Sequence, residues 1–243
     1  MNTTVTEIAP SVHRISSFAP EFGIQFNQFV VADDEPFLMH TGMKKMFPVT
    51  LAGVSKVIDP AKLRWIGYSH FEPDECGALN EWLAVAPHAQ AVCGFVSAMV
   101  MLNDFADRPP RVLANDEVFG IGRRRLRYLS TPHVPHGWDA GLYFEETDRT
   151  LFCSDICFQP GDPEALIESD IVGPARDAIV GGMSGPLCKD MPYTPYTDAT
   201  LQRLADLEPQ TLAVMHGSSF RGDGGKAIRA LAKVIAETHG RAK

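Results

Sequence analysis

Four apolar stretches in this chain each lead into a histidine or a carboxylate, and that recurrence restricts the fold more than any bulk property. Arg64-Trp65-Ile66-Gly67-Tyr68-Ser69 runs into His70, and Leu151-Phe152-Cys153 into Asp155. Leu212-Ala213-Val214-Met215 runs into His216, and the strands read over 111–129 lead to the turn Pro132–Asp139, which holds His133 and His136. Short apolar runs bounded by turn residues read as buried strands, and loops at strand ends are where side chains can be gathered into a site. One histidine after a strand is more often a hydrogen-bonded structural residue than a ligand. Four such ends in a chain with only eight histidines are much less readily incidental.

The rest of the chain supplies the frame. Residues 24–32 read as a strand, Asp33–Pro36 as a turn and Phe37–Met39 as the return strand of a hairpin. Gly77–Ala86 reads as a helix with Leu79, Trp82 and Leu83 on one face, 91–93 as a strand and Ser97–Phe105 as a helix. Residues 141–145 and 150–153 form a second hairpin. From Asp155 to about residue 195 the chain is rich in proline and glycine, and Gly181–Pro195 is irregular enough for a lid or an interface loop. Asp198 is placed to cap a helix running to Leu207, and Gly225–His239 is an amphipathic helix with Ile228, Leu231, Val234 and Ile235 on one face. No repeat or linker divides the 243 residues, so 1–243 reads as one α/β domain, a two-sheet sandwich with helices outside.

The densest chemistry lies in Ser69-His70-Phe71-Glu72-Pro73-Asp74-Glu75-Cys76-Gly77. Pro73 keeps this stretch from being a regular helix interior, so the loop can turn His70, Glu72 and Asp74 toward one point. An acidic loop alone is ordinarily a solvated turn; the companions His136, Asp155 and His216 favour a metal centre, and mixed imidazole and carboxylate donors suit iron, manganese or zinc. The net charge of −8 and the lack of a basic stripe exclude a nucleic-acid partner and an anionic membrane surface. No apolar run is long enough to span a bilayer. Met1–Glu7 has no signal-peptide pattern, and five scattered cysteines (Cys76, Cys93, Cys153, Cys157, Cys188) read as reduced thiols of a cytoplasmic protein.

The order His70-x-Glu72-x-Asp74, then His136, Asp155 and His216, resembles the metallo-β-lactamase superfamily. Its hydrolases carry His-x-His-x-Asp-His in the first loop. Glu72 in place of the second histidine is similar to the flavodiiron branch. Gly137-Trp138-Asp139, Leu151-Phe152-Cys153-Ser154-Asp155 and Met215-His216-Gly217 resemble further segments of that branch. The likeness covers about residues 20–230 and looks nearest to stand-alone oxygen-binding diiron proteins. It implies the αββα metallo-β-lactamase sandwich and two iron ions: one held by His70, Glu72 and His136, the other by Asp74 and His216, with Asp155 between them. His136 is preferred to His133 because it stands three residues before Asp139, as in the family. Two positions depart from the pattern. Glu75 stands where the family often has a histidine, and either binds the second metal or faces water. His40, before Thr41-Gly42, replaces the usual aspartate, and either orients the first loop by a hydrogen bond or marks altered contacts behind it.

Three carboxylates and three imidazoles make a more anionic pocket than a zinc hydrolase uses, which favours the oxidised state of iron and chemistry with O2 or NO. The resemblance thus implies an oxygen binder or sensor, or an O2 or NO reductase; a dinuclear hydrolase is the alternative. No phosphate-cradling loop for a flavin is evident in this chain, so a reductase would need a separate flavoprotein or rubredoxin donor. A homodimer is compatible with the likeness. Phe71, Trp138, Phe158, Tyr193 and Tyr196 either line a pocket for a diatomic gas or pack as ordinary core and loop residues.

Overall fold

A computed structural model describes residues 3–188 and 190–240. The first sheet contains β1 (Thr3–Ala9), β2 (Val12–Ala19), β3 (Ile24–Val31), β4 (Phe37–Met39), β5 (Trp65–Gly67), β6 (Gln90–Gly94) and β7 (Arg111–Leu113), in that spatial order. The second contains β8 (Val118–Gly120), β9 (Arg125–Ser130), β10 (Gly141–Glu145), β11 (Thr150–Ser154), β12 (Leu166–Ile167), β13 (Thr211–Val214) and β14 (Ser219–Arg221), in the order β12-β14-β13-β11-β10-β9-β8. Both sheets are mixed: β4, β5, β6 and β7 run parallel beside antiparallel β1–β4, and β11 runs parallel to β13 within an otherwise largely antiparallel sheet.

Alternation along the strands assigns the layers, because successive side chains leave opposite faces. Phe37 and Met39 of β4, Phe29 of β3, Tyr143 of β10, Phe152 of β11 and Ala213 of β13 share the core between the sheets. Leu38, Val30 and Ile66 face outward under α1 (Phe47–Val54) and α3 (Leu79–Val85), with Val54, Leu79, Trp82 and Leu83 covering them. On the far side Leu142, Leu151, Leu212 and Val214 face outward under α6 (Val172–Gly182), α7 (Thr197–Asp206) and α8 (Gly224–Thr238). The result is helix, sheet, sheet, helix. The short α2 (Pro73–Cys76), α4 (Phe95–Ser97) and α5 (Asn103–Phe105) lie on the same side as α1 and α3, where Cys76, Ala98, Leu102 and Phe105 join their cluster; α4 and α5 are joined by a π-helical turn over Ala98–Leu102.

Several readings from sequence need correction. Thr3–Ala19 forms a full antiparallel pair that the apolar pattern did not show. The pair hid itself because Arg14, Ser16 and Ser17 are buried, so a polar sequence lies where alternation would put apolar residues. Helix α1 was also not read. The stretch after Asp155 contains α6; Pro174 stands in its first turn, where no intrahelical N–H is needed. Gly181 and Gly182 belong to that helix rather than to a loop, and Lys189 of the expected lid lies outside the described residues. The Ser97–Phe105 helix begins earlier, at Phe95, and its middle is π-helical. Asp198 does not cap α7: Tyr196 is the N-cap, and Asp198 sits in the first turn, accepting a hydrogen bond from Tyr193 Oη at 2.6 Å. Asp223 does cap α8, accepting from Lys226 N at 2.8 Å. All five cysteines are free, four of them buried. Among the described residues no helix is long and apolar enough to cross a membrane.

Candidate metal centre

The site forms where strands of both sheets end at one edge of the sandwich. β5 delivers Ser69 and His70, β9 leads into the turn with His136, β11 ends at Ser154 before Asp155, and β13 leads through Met215 to His216. Pro73 opens the single turn of α2, so Asp74 and Glu75 sit on helix rather than loop. Left-handed backbone at Ser154 (φ 50°) and at His40 (φ 65°) departs from strand geometry beside these ends. Gly217, at φ 107°, closes the turn after His216 where an added Cβ would stand 2.6 Å from Gln159 Cβ.

Six residues singled out by the sequence come together. His136 Nε2 lies 3.3 Å from Glu72 Oε1, and His70 Nε2 lies 3.8 Å from Glu72 Oε2. His216 Nε2 lies 3.2 Å from Asp74 Oδ2. Asp155 stands between the two sets: its Oδ2 is 3.6 Å from both His70 Nε2 and His136 Nε2, and its Oδ1 is 3.3 Å from His216 Nε2. Donor atoms about 2.1 Å from a common ion stand roughly 3.0–3.5 Å apart. The measured separations begin in that range and run slightly beyond it. Three donor groups result, each within 4.8 Å: His70, Glu72 and His136; His70, Glu75 and Asp155; Asp74, Glu75 and His216.

The polar atoms facing this space fit a cation. His70 Nε2, His136 Nε2, Asp155 Oδ1 and both Glu75 oxygens are buried and have no hydrogen-bond partner. Buried polar atoms are almost always paired, so a cluster of orphans needs an occupant. The metal-free charges show the same demand. His136, with His70 next in weight, holds the Glu72 carboxyl well below the usual carboxylate range. Burial opposes a charge on His136 and on His216, yet Glu72 and Asp155 raise the first, and Asp74 and Asp155 raise the second. In the metal-free protein, protons on these imidazoles take the place of metal charge. Burial, reinforced by Asp155 and Asp74, pushes the Glu75 carboxyl well up.

Behind the donors the two ends are held differently. Ser69 Oγ is 2.9 Å from His70 Nδ1, 2.7 Å from Ser154 Oγ and 3.2 Å from His40 Nε2. Burial, with His70 beside it, pushes His40 down to about 3; it is therefore neutral and touches the first loop through Ser69. His216 Nδ1 instead donates to the Gln25 carbonyl of β3 at 2.7 Å. Asp139 Oδ2 accepts from Phe71 N at 3.1 Å and from Ser97 Oγ at 3.2 Å, tying the His136 turn to the first loop.

His133 is in none of the donor groups; its backbone N–H closes the turn onto Gly137 O at 2.7 Å. Glu75 does not face water: its side chain is 1% exposed. The aromatics divide. Phe71 packs edge-on to Phe105 at 5.1 Å and Tyr193 packs against the outer helix cluster, whereas Trp138 and Tyr196 are largely exposed and fit neither reading. Phe158 does border the centre, 5.5 Å from the His216 ring, and so does Phe26 at 5.2 Å, which sequence reasoning missed. Ser69 and Ser154 were missed as supports; their one signal was that each immediately precedes a candidate ligand.

Comparison with known proteins was then decisive for kinship. The profile of the family described as ODP family beta lactamase matches residues 24–217. A rubredoxin-oxygen oxidoreductase of Megalodesulfovibrio gigas is 23% identical over 204 residues, 82% of this chain and 50% of that protein. A nitric oxide reductase of Moorella thermoacetica is 23% identical over 233 residues, 93% of this chain and 57% of that protein. The chain thus spans a little over half the length of these relatives at most. The crystal structure of a flavoprotein from Thermotoga maritima superposes with a TM-score of 0.79 at 19% identity, covering 100% of this chain and 62% of that one. At that identity the likeness shows the shared fold.

Proposed function

Because the chain belongs to the ODP family of beta lactamases, in the flavodiiron branch of the metallo-β-lactamase-like fold, we propose that it is a dinuclear non-haem iron protein that takes up O2 or NO. The observation that carries the reading is Glu72 within 3.3 Å of His136 Nε2. A carboxylate there makes the donor set anionic and hard, which suits iron and disfavours a Lewis-acidic zinc pair. His70, Glu72 and His136 would hold one ion, Asp74 and His216 the other, and Asp155 would present one oxygen to each. Held there, a ferrous pair would supply electrons for the reduction of O2 or NO.

The protein's own residues do the rest. Ser69 accepts from His70 Nδ1 and leaves Nε2 to face the ion. The Gln25 carbonyl does the same for His216. Phe26 and Phe158 set apolar rings against His216 and exclude water from that side. The half-exposed Glu72 marks the side open to solvent and to a small ligand. The rubredoxin-oxygen oxidoreductase and nitric oxide reductase among the relatives support O2 and NO as ligands. The name of the first also supports a rubredoxin as electron donor, with a separate flavoprotein as the other candidate. The test is metal analysis with Mössbauer spectroscopy, then stopped-flow absorbance of the reduced protein mixed with O2 and with NO. Two irons per chain and a rapid spectral change with either gas are expected, with turnover on adding a donor if the protein is a reductase. Stoichiometric zinc after growth in iron-replete medium, with hydrolysis of esters or thioesters at enzyme-like rates, would replace this reading by a hydrolase.

A further inference from the structure

We propose that Glu75 is a seventh metal donor whose carboxylate spans both ion positions, forming a second bridge beside Asp155. The inference rests on the reading of the other six residues as ligands. Among the described residues only two side chains have neighbours from both ends of the cluster. Asp155 divides its oxygens between the His70–His136 side and His216. Glu75 groups with His70 and Asp155 on one side and with Asp74 and His216 on the other. Its Oε2 is 3.9 Å from His70 Nε2.

Enclosure leaves Glu75 no partner outside the cluster, and inside it the nearest carboxyl is that of Asp74. Its side chain is 1% exposed, and neither oxygen makes a hydrogen bond. A carboxyl group buried in this way is costly unless a cation or donor meets both oxygens. The Glu75 backbone is held in place as well. Its carbonyl accepts from Thr41 N at 2.7 Å and from Thr41 Oγ1 at 3.2 Å, which fixes the α2 backbone against the strand end at Met39-His40. Consecutive residues of a helix point about 100° apart, which lets Asp74 meet His216 while Glu75 also reaches toward His70.

The charge balance changes with it. Glu72, Asp74, Glu75 and Asp155 carry four negative charges, which neutralise two divalent ions; six donors would leave one positive charge uncompensated. A fourth carboxylate lowers the midpoint potential of the pair and favours iron or manganese over zinc.

Glu75→Gln keeps the shape of a neutral acid and removes the anionic donor, so it separates a ligand from a buried spectator. Wild type, Glu75→Gln and Glu75→Asp are loaded anaerobically with ferrous iron. Iron per chain, ferrous affinity, exchange coupling by Mössbauer spectroscopy and midpoint potential are measured, with circular dichroism of each metal-free protein as the folding control. Wild type is expected to hold two irons. Glu75→Gln is expected to bind iron about tenfold or more weakly, with altered coupling and a more positive potential. Glu75→Asp keeps the charge but shortens the reach, and is expected to load two irons with weaker coupling. Two irons in Glu75→Gln with wild-type affinity, coupling and potential would overturn the bridge and leave the six-ligand reading intact. Should Glu75→Gln not fold, wild-type coupling in Glu75→Asp would do the same. A wild-type chain that holds no iron pair would instead remove the reading beneath it.

Discussion

The donor cluster has two unlike ends. Around Glu72 there are two imidazoles and one carboxylate, and the Glu72 side chain is 49% exposed. Around Asp74 there are two carboxylates and one imidazole, with the Glu75 and His216 side chains 1% and 7% exposed. The supports differ as well. The rear nitrogen of His70 rests on a side-chain hydroxyl, Ser69 Oγ, whereas that of His216 rests on a backbone carbonyl. The strand giving that carbonyl is itself locked. Arg14 Nη2 donates to Gln25 Oε1 at 2.6 Å and to Gly217 O at 3.0 Å, and Asn27 Nδ2 donates to Val214 O and Gly217 O. One end is therefore set by backbone and enclosed, and the other by exchangeable side chains and open. On the proposed reading the closed end would anchor an ion, while the open end would admit a ligand and be the end that substitution tunes.

The largest effect tests what the ends share. Asp155→Asn keeps the shape but removes the charge that stands 3.3–3.6 Å from three imidazoles. Affinity for both ions should fall by more than about 100-fold, beyond the roughly 10–100-fold that supporting residues are worth. Metal analysis after desalting checks this, and a variant retaining two ions would show that the ends do not depend on one bridge. Next comes a substitution confined to the open end. Glu72→Gln should reduce iron from two per chain to one, with the folding stability of the metal-free protein changed by no more than about 0.5 kcal/mol because the side chain is half exposed. Loss of both ions would mean that the closed end has no affinity of its own. Ser69→Ala ranks third. It should weaken the open-end ion by about 10–100-fold while leaving the other in place. Mössbauer spectra showing two equally depleted sites would erase the distinction between hydroxyl and carbonyl supports.

The contrast also explains what the sequence made legible. A candidate ligand is easy to read where an apolar run stops at a charged residue, as at His70, Asp155 and His216, because the signal is local. The sandwich follows from the same runs, since Phe37-Leu38-Met39 and Leu151-Phe152-Cys153 are apolar on both faces and so need cover on both sides. Buried polarity was opaque. Arg14, Ser16 and Ser17 made β2 look like a surface segment, although Arg14 helps to lock the closed end. The direction of Glu75 was equally hidden. Adjacent acids in a loop could point anywhere, and only the helical turn begun by Pro73, pinned to Thr41, aims Asp74 at His216 and Glu75 between the two ends of the cluster. The supports Ser69 and Ser154 look like any serine until two strand ends from different sheets bring their hydroxyls within 2.7 Å.

The smallest predicted effect uses pH in the metal-free protein. His136 and His216 both lie above the ordinary imidazole value of about 6.5. A histidine whose folded value is raised adds stability that is fully present below the unfolded value and is lost as pH rises through the folded one. The urea midpoint of the metal-free protein should therefore decline as pH is raised from near 6 through these titrations. The decline is reinforced because Glu72, Asp74 and Asp155 are left facing one another without a neutralising cation. Loading with metal replaces the protons, so the same decline should vanish in the loaded protein. The two ends divide the effect. Glu72→Gln removes the main carboxylate that raises His136 but leaves Asp155 beside it and Asp74 beside His216, so part of the decline should survive in that variant. Parallel pH profiles for metal-free and loaded protein would mean that the imidazoles do not exchange protons for metal, and the open and closed ends would then differ in exposure alone.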